Sequence, residues 1–150
     1  MKKRGVTLIT LSIIVAVMAI LTAVTVNIGT DIHVGAQKAR FQAEIDQIEI
    51  LTSNYIRRNS GNDFTPYTWN IASLAGYDET QFEGETITSG NINVYVVDLT
   101  KIDAEETNDG LLEKGANDRY LYSEQTGHVY YEKGKTFGNK VYYRVTELEE

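Results

Sequence analysis

One hundred and fifty residues suit one compact domain with one additional element, and not two full domains. The absence of cysteine excludes a disulfide framework, a lipidated-cysteine anchor and thiolate metal sites. The net charge of -7 is unevenly spread: Lys2, Lys3 and Arg4 make the first four residues basic, and 11 basic against 21 acidic residues follow. An acidic body of this kind argues against nucleic acid as a partner, and against docking on anionic lipid through the polar part, because phosphate contacts need clustered Lys and Arg.

The first predicted element is a charged leader, 1–5, ending at Gly5, followed by an apolar run over 6–28. Seventeen of the 23 residues from Val6 to Ile28 are Val, Ile, Leu, Met or Ala, and no charge lies between Arg4 and Asp31. A helix of about 20 apolar residues crosses a hydrocarbon layer of roughly 30 Å, so 6–28 is predicted to be transmembrane. A cleaved secretory signal has an apolar stretch of only about 7–15 residues. The basic flank predicts a cytoplasmic N-terminus and an extracytoplasmic remainder. The plainest reading of this segment is a single-pass anchor.

The motif at its start says more. Lys-Arg-Gly-Val-Thr-Leu-Ile-Thr-Leu, residues 3–11, resembles the prepilin-type signal of type IV pilins and type II secretion pseudopilins. There a short basic leader ends in glycine ahead of an apolar helix. The resemblance covers roughly residues 1–58 and is strongest in the first dozen. It implies cleavage by a prepilin peptidase between Gly5 and Val6, N-methylation of Val6, and assembly into a filament through the N-terminal helix. The physical logic agrees. Three cations hold the bond at the cytoplasmic face, and glycine offers no side chain to obstruct an active site. A cut at this end leaves the whole helix on the product. One residue departs from the family pattern. Most pilins carry glutamate at the fifth mature position, where the carboxylate pairs with a neighbouring subunit's N-terminal ammonium; this chain has Thr10.

The helix is predicted to continue as an amphipathic segment within 29–60. Between Ala36 and Arg58 there is no Gly or Pro. Val34, Lys38, Phe41, Ile45, Ile48, Thr52 and Tyr55 fall at steps of four and three and share one face, with Lys38 and Thr52 interrupting it. Asn59-Ser60-Gly61 is the stop signal. Together the two halves predict a rod of about 50 residues, on the order of 80 Å long. Asn27, Gly29 and Gly35 mark either a planned flexible point or ordinary residues at a membrane exit.

The remainder, 61–150, reads as an extracytoplasmic β-rich domain. A connector from Phe64 leads to a short helix at Trp69 to Ala75, then a polar loop from Asp78 to Gly90 and a strand from Ile92 to Leu99. An acidic irregular stretch runs from Lys101 to Asp118. Three strands, Arg119 to Glu124, Gly127 to Glu132 and Lys140 to Thr146, are predicted to form an antiparallel meander. The fold class is therefore α+β: a long N-terminal helix, transmembrane in its first half, packed on a small antiparallel sheet of three or four strands. The stretch from Asp118 to Tyr131 also looks like the C-terminal part of pseudopilin-like proteins from Gram-positive bacteria.

Catalytic chemistry is thin, and no enzyme is predicted. His33 and His128 stand far apart and read as surface or interface residues, and the hydrolase and metalloprotease spacings are absent. The ten tyrosines read as cross-strand pairs in a small sheet, with a carbohydrate platform as the alternative. Asp103, Glu105, Glu106 and Asp109 could supply oxygens to calcium, but their spacing does not match an EF-hand; a solvated loop is the better reading, and no cofactor or metal is expected. The expected function is a structural subunit of a type IV pilus or pseudopilus-like filament, with Thr10 leaving either a minor or tip position or a lineage that assembles differently. Its expected partners are other pilin-like subunits, the prepilin peptidase, an assembly platform protein and the membrane. The alternative is a single-pass anchored extracellular binding module that retains residues 1–5.

Overall fold

The computed structural model of this chain describes residues 3–104 and 119–145, with the side chains of 3–12 and 19–31 excepted. It divides into two compact units, Met1–Ala36 and Gln37–Glu150. A single helix, α1, runs over Lys3–Arg58.

In the first unit none of the described side chains is buried, and Ile13, Ile14, Val15, Val17, Met18 and Ile32 are exposed. The expectation of a transmembrane first half is corrected here. Among the described residues, no helix is long and apolar enough to cross a membrane. Within 6–28 only the side chains of 13–18 are described. The longer described stretch, 32–58, carries Lys38, Arg40, Glu44, Asp46, Glu49, Arg57 and Arg58 among its apolar residues. Each such charge costs roughly 2.5–3.5 kcal/mol at the centre of a bilayer, so this part of the helix belongs against protein and water.

The second unit begins with the rest of α1. The predicted stripe is its buried face: Lys38, Phe41, Ile45, Ile48 and Thr52 are all buried, and Tyr55 stacks on Phe64 at 5.3 Å. Arg57 and Arg58 close the last turn, and Gly61 N–H donates to the Ile56 carbonyl. The left-handed residue of this cap is Ser60, at φ 57°, one position before the glycine.

Six strands follow: β1 Thr65–Asn70, β2 Asn91–Val96, β3 Tyr120–Tyr122, β4 Val129–Tyr131, β5 Lys135–Phe137 and β6 Lys140–Tyr142. The first four form an antiparallel sheet in the order β1-β2-β3-β4, and β5 and β6 form a separate two-stranded sheet. Three expectations change. The short helix expected from Trp69 is replaced by β1, because Trp69 pairs with Ile92 and goes into the core. Pro66 is tolerated there since β1 is an edge strand. A 3-10 helix, Glu79–Phe82, sits in the expected loop and delivers buried Gln81 and Phe82. The third strand of the expected meander leaves the sheet instead: the turn Gly138-Asn139 folds β6 back on β5, pairing Phe137 with Lys140.

All three residues of β3 are buried, so the sheet is covered on both faces. On one face Leu121 and Tyr130 join Trp69, Phe82, Val94 and Tyr143. Trp69 lies 5.6 Å from Phe82 and 5.8 Å from Tyr143, both edge-on, as aromatic quadrupoles prefer. On the other face Tyr120 and Tyr131 meet α1. Gln81 ties the first layer down: its side chain accepts from Tyr143 N–H at 2.8 Å and donates to the Val141 carbonyl at 3.0 Å. A side-chain amide thus takes the place of a neighbouring strand.

Candidate functional site

Gly5, Val6 and Thr10 fall in the first turns of α1. Their backbone is helical, and their side chains lie outside the described residues.

The most site-like feature forms where α1 meets the sheet. Phe41 and Glu44 are three apart and share a helix face, while Tyr120 and Tyr131 are cross-strand partners on β3 and β4. Their four side chains, with Gly134, Lys135 and Thr136, line a pocket of about 170 Å³. The rings of Tyr120 and Tyr131 lie 5.4 Å apart, and Phe41 meets Tyr131 edge-on at 6.1 Å. Glu44 is only 7% exposed, and its carboxylate accepts a hydrogen bond from the Tyr120 hydroxyl. Gly134 turns the chain at φ 68°; a Cβ there would stand 2.7 Å from Val141 and 2.8 Å from the Tyr143 ring. Only glycine lets the wall of the pocket approach so closely.

Two further polar clusters frame this junction. Glu49 on α1 faces His128 Nδ1 at 3.3 Å, the Val129 N–H at 3.4 Å and the Arg144 guanidinium at 3.6 Å. Burial, then the charge of Glu49, raises the Asp46 carboxyl above its ordinary range, against the pull of Arg144. On the far side of the sheet Glu85 accepts from the hydroxyls of Ser123, Thr126 and Tyr130 at 2.8, 2.6 and 2.9 Å. Burial and the Glu85 charge push the Tyr130 phenol well above its usual value. That cluster is a structural tie: its three donors are neutral and already committed.

Of the other expectations, His33 is exposed, and His128 is half-buried against Glu49 of the same chain. Tyr95 pairs with Tyr122 and Tyr120 with Tyr131, the cross-strand arrangement anticipated for the tyrosines. Asp103 lies in a turn at φ 57°, and Glu105, Glu106 and Asp109 fall outside the described residues. Among the described residues no group of three or more His, Asp or Glu side chains could hold a metal ion. Sequence reasoning missed Glu44. The signal was available: it lies three residues after Phe41 and four before Ile48, a charge in the middle of an apolar face. Comparison with protein-family models, curated proteins and solved structures finds no match to this chain.

Proposed function

We propose that this chain is a structural subunit, minor or at the tip, of a type IV pilus or pseudopilus-like filament outside the cytoplasm. A prepilin peptidase removes Met1 to Gly5, Val6 becomes the methylated N-terminus, and the chain then joins other pilin-like subunits on an assembly platform protein. The observation that carries this reading is the register of Lys-Arg-Gly with Val-Thr-Leu-Ile at the start of the sequence. Two features support it. A single helix runs from Lys3 to Arg58, and its described side chains at 13–18 are largely apolar and exposed in the isolated chain, as an element reserved for other subunits would be. Thr10 favours a sparse position. A repeating subunit without a carboxylate at this place would bury one unpaired ammonium per copy, at several kcal/mol each, whereas a tip subunit does so at most once.

Intact mass spectrometry of the chain from cells with an active prepilin peptidase is the test. The expected mass lacks Met1 to Gly5 and carries one added methyl group. A mature chain that keeps its first five residues would remove the basis of the proposal. Subunit quantification of purified filaments should find this chain outnumbered by a partner with an acidic residue at the place of Thr10.

A further inference from the structure

We propose, from the second unit alone and independently of the leader, that the outer edge of β1 pairs with the same edge of a second copy of this chain. The pairing is antiparallel and two-fold symmetric about Thr68, and it joins the two sheets into one of eight strands, four from each copy. β1 ends the strand order β1-β2-β3-β4, so one of its sides faces no strand. The opposite end of the sheet is partly closed, because the Tyr131 N–H on β4 donates to the Tyr143 carbonyl at 2.8 Å. The register decides which groups lie on the open side. Ile71 N–H donates to the Gly90 carbonyl at 3.0 Å, continuing the register that sets Trp69 against Ile92. Bonded pairs alternate along an antiparallel ladder. Thr65, Tyr67 and Trp69 therefore bond to β2, while Pro66, Thr68 and Asn70 turn their backbone groups outward, and these three are exposed. Among the described residues, nothing meets the Pro66 carbonyl, the Thr68 N–H and carbonyl or the Asn70 N–H. The Asn70 carbonyl is occupied by the Ser73 hydroxyl at 3.1 Å, and proline has no N–H to offer.

This pattern is complementary to itself. In a two-fold pair about Thr68, each Thr68 N–H donates to the other copy's Thr68 carbonyl, and each Asn70 N–H donates to the other's Pro66 carbonyl. The one remaining position sets Pro66, which lacks a donor, opposite the Asn70 carbonyl, which already has one. The ladder stops there because the next donors are in use: Phe64 N–H bonds Asn62 Oδ1 at 3.0 Å, and Ala72 N–H bonds the Gly90 carbonyl at 3.1 Å. Sliding one copy by two residues in either direction sets the Thr68 carbonyl against proline, or the Thr68 N–H against the occupied Asn70 carbonyl. The side chains agree with the two-fold register. Thr68 faces Thr68, a favourable cross-strand pair. None of the six residues of β1 is charged, whereas strand edges that stay single commonly carry charge. The contact is narrow and each chain has a net charge of -7, so pairs form on concentration and a dilute chain is a monomer.

The test uses the full-length chain in a non-ionic detergent, which covers the exposed apolar side chains of 13–18. Sedimentation over about a hundredfold range of concentration should show a monomer giving way to a dimer. Position 68 lies opposite itself in this register, so Thr68→Lys sets two like charges face to face and should weaken pairing by about tenfold or more. Asn93→Lys, equally exposed but one strand further in, should leave pairing in place. The chain has no cysteine, so a single introduced thiol isolates the contact. Directly opposed residues of a bonded pair lie about 5.5 Å apart, within disulfide reach. Under a mild oxidant Thr68→Cys should therefore cross-link into a dimer, and Asn93→Cys should not. A monomer throughout the concentration range, equal cross-linking of the two thiol variants, or undiminished pairing in a folded Thr68→Lys chain would each overturn the proposal. Should Thr68→Lys fail to fold, the contrast between Thr68→Cys and Asn93→Cys still decides.

Discussion

Thr52 shows how a single atom can work against its surroundings. The residue is wholly buried on the inner face of α1, and its hydroxyl has no hydrogen-bond partner there. An unpaired buried hydroxyl costs about 1–3 kcal/mol, while valine has the same shape without the polar atom. Thr52→Val should therefore raise the urea midpoint of unfolding, by roughly 1 kcal/mol or more in stability; a fall would mean the hydroxyl is satisfied. Asp78 is the opposite case. It caps the 3-10 helix, and its carboxyl is held down to about 2 by the Thr80 hydroxyl, with Lys140 and the Thr80 N–H adding to the effect. A carboxyl lowered on folding stabilises above its unfolded value of 3.8 and loses that contribution as pH falls towards about 2. Stability measured by urea titration should decline across that window, and Asp78→Asn should flatten the decline. Asp98, lowered by the Thr100 hydroxyl, leaves a residual slope of the same sign.

At the scale of elements, the helix stripe was the most legible part of the sequence. Steps of three and four place Phe41, Ile45, Ile48 and Thr52 on one side, and the fold buries that side. Ile45→Ala should cost about 2–5 kcal/mol, against a change within roughly 0.5 kcal/mol for Ile50→Ala on the exposed face; chemical denaturation of the two variants checks the contrast. The strand ends were legible only in part. β3, β4 and β6 lie inside their predicted runs and β2 starts one residue before its own, since Val and Tyr cluster there. β1 was misread because Thr-Pro-Tyr-Thr-Trp offers a proline that argues against a strand, and only its position at the sheet edge lifts the objection. β5 lies between the second and third predicted strands, where no element is expected, although Gly138-Asn139 between short polar-apolar runs is itself a hairpin signal. The pocket was not legible at all. It joins residues about ninety positions apart, and no local pattern reports which turn of a helix will face which strand.

At the scale of the whole molecule, the division between Ala36 and Gln37 separates a helix without buried described side chains from a unit that holds every buried residue among those described. A chain beginning at Gln37 should fold as a monomer and melt in one cooperative transition, measurable by circular dichroism and sedimentation. A non-cooperative melt would show that the first unit contributes to the core of the second. The membrane-crossing expectation failed for a related reason. It treated 6–28 as an independent segment defined by composition, whereas the helix is continuous through Arg58, and its described stretch 32–58 carries seven charged residues.

The Gln81 side chain has a consequence for how the molecule opens. Tyr143 N–H is bonded to a side-chain oxygen from residue 81 and not to a backbone carbonyl on a neighbouring strand. Its hydrogen exchange with solvent therefore reads the undocking of a four-residue 3-10 helix. The Val97 N–H, bonded to the Tyr120 carbonyl, reads the separation of β2 from β3. Two amides in one small domain thus report two different opening events, and the order in which they exchange gives the order in which the aromatic layer and the sheet come apart.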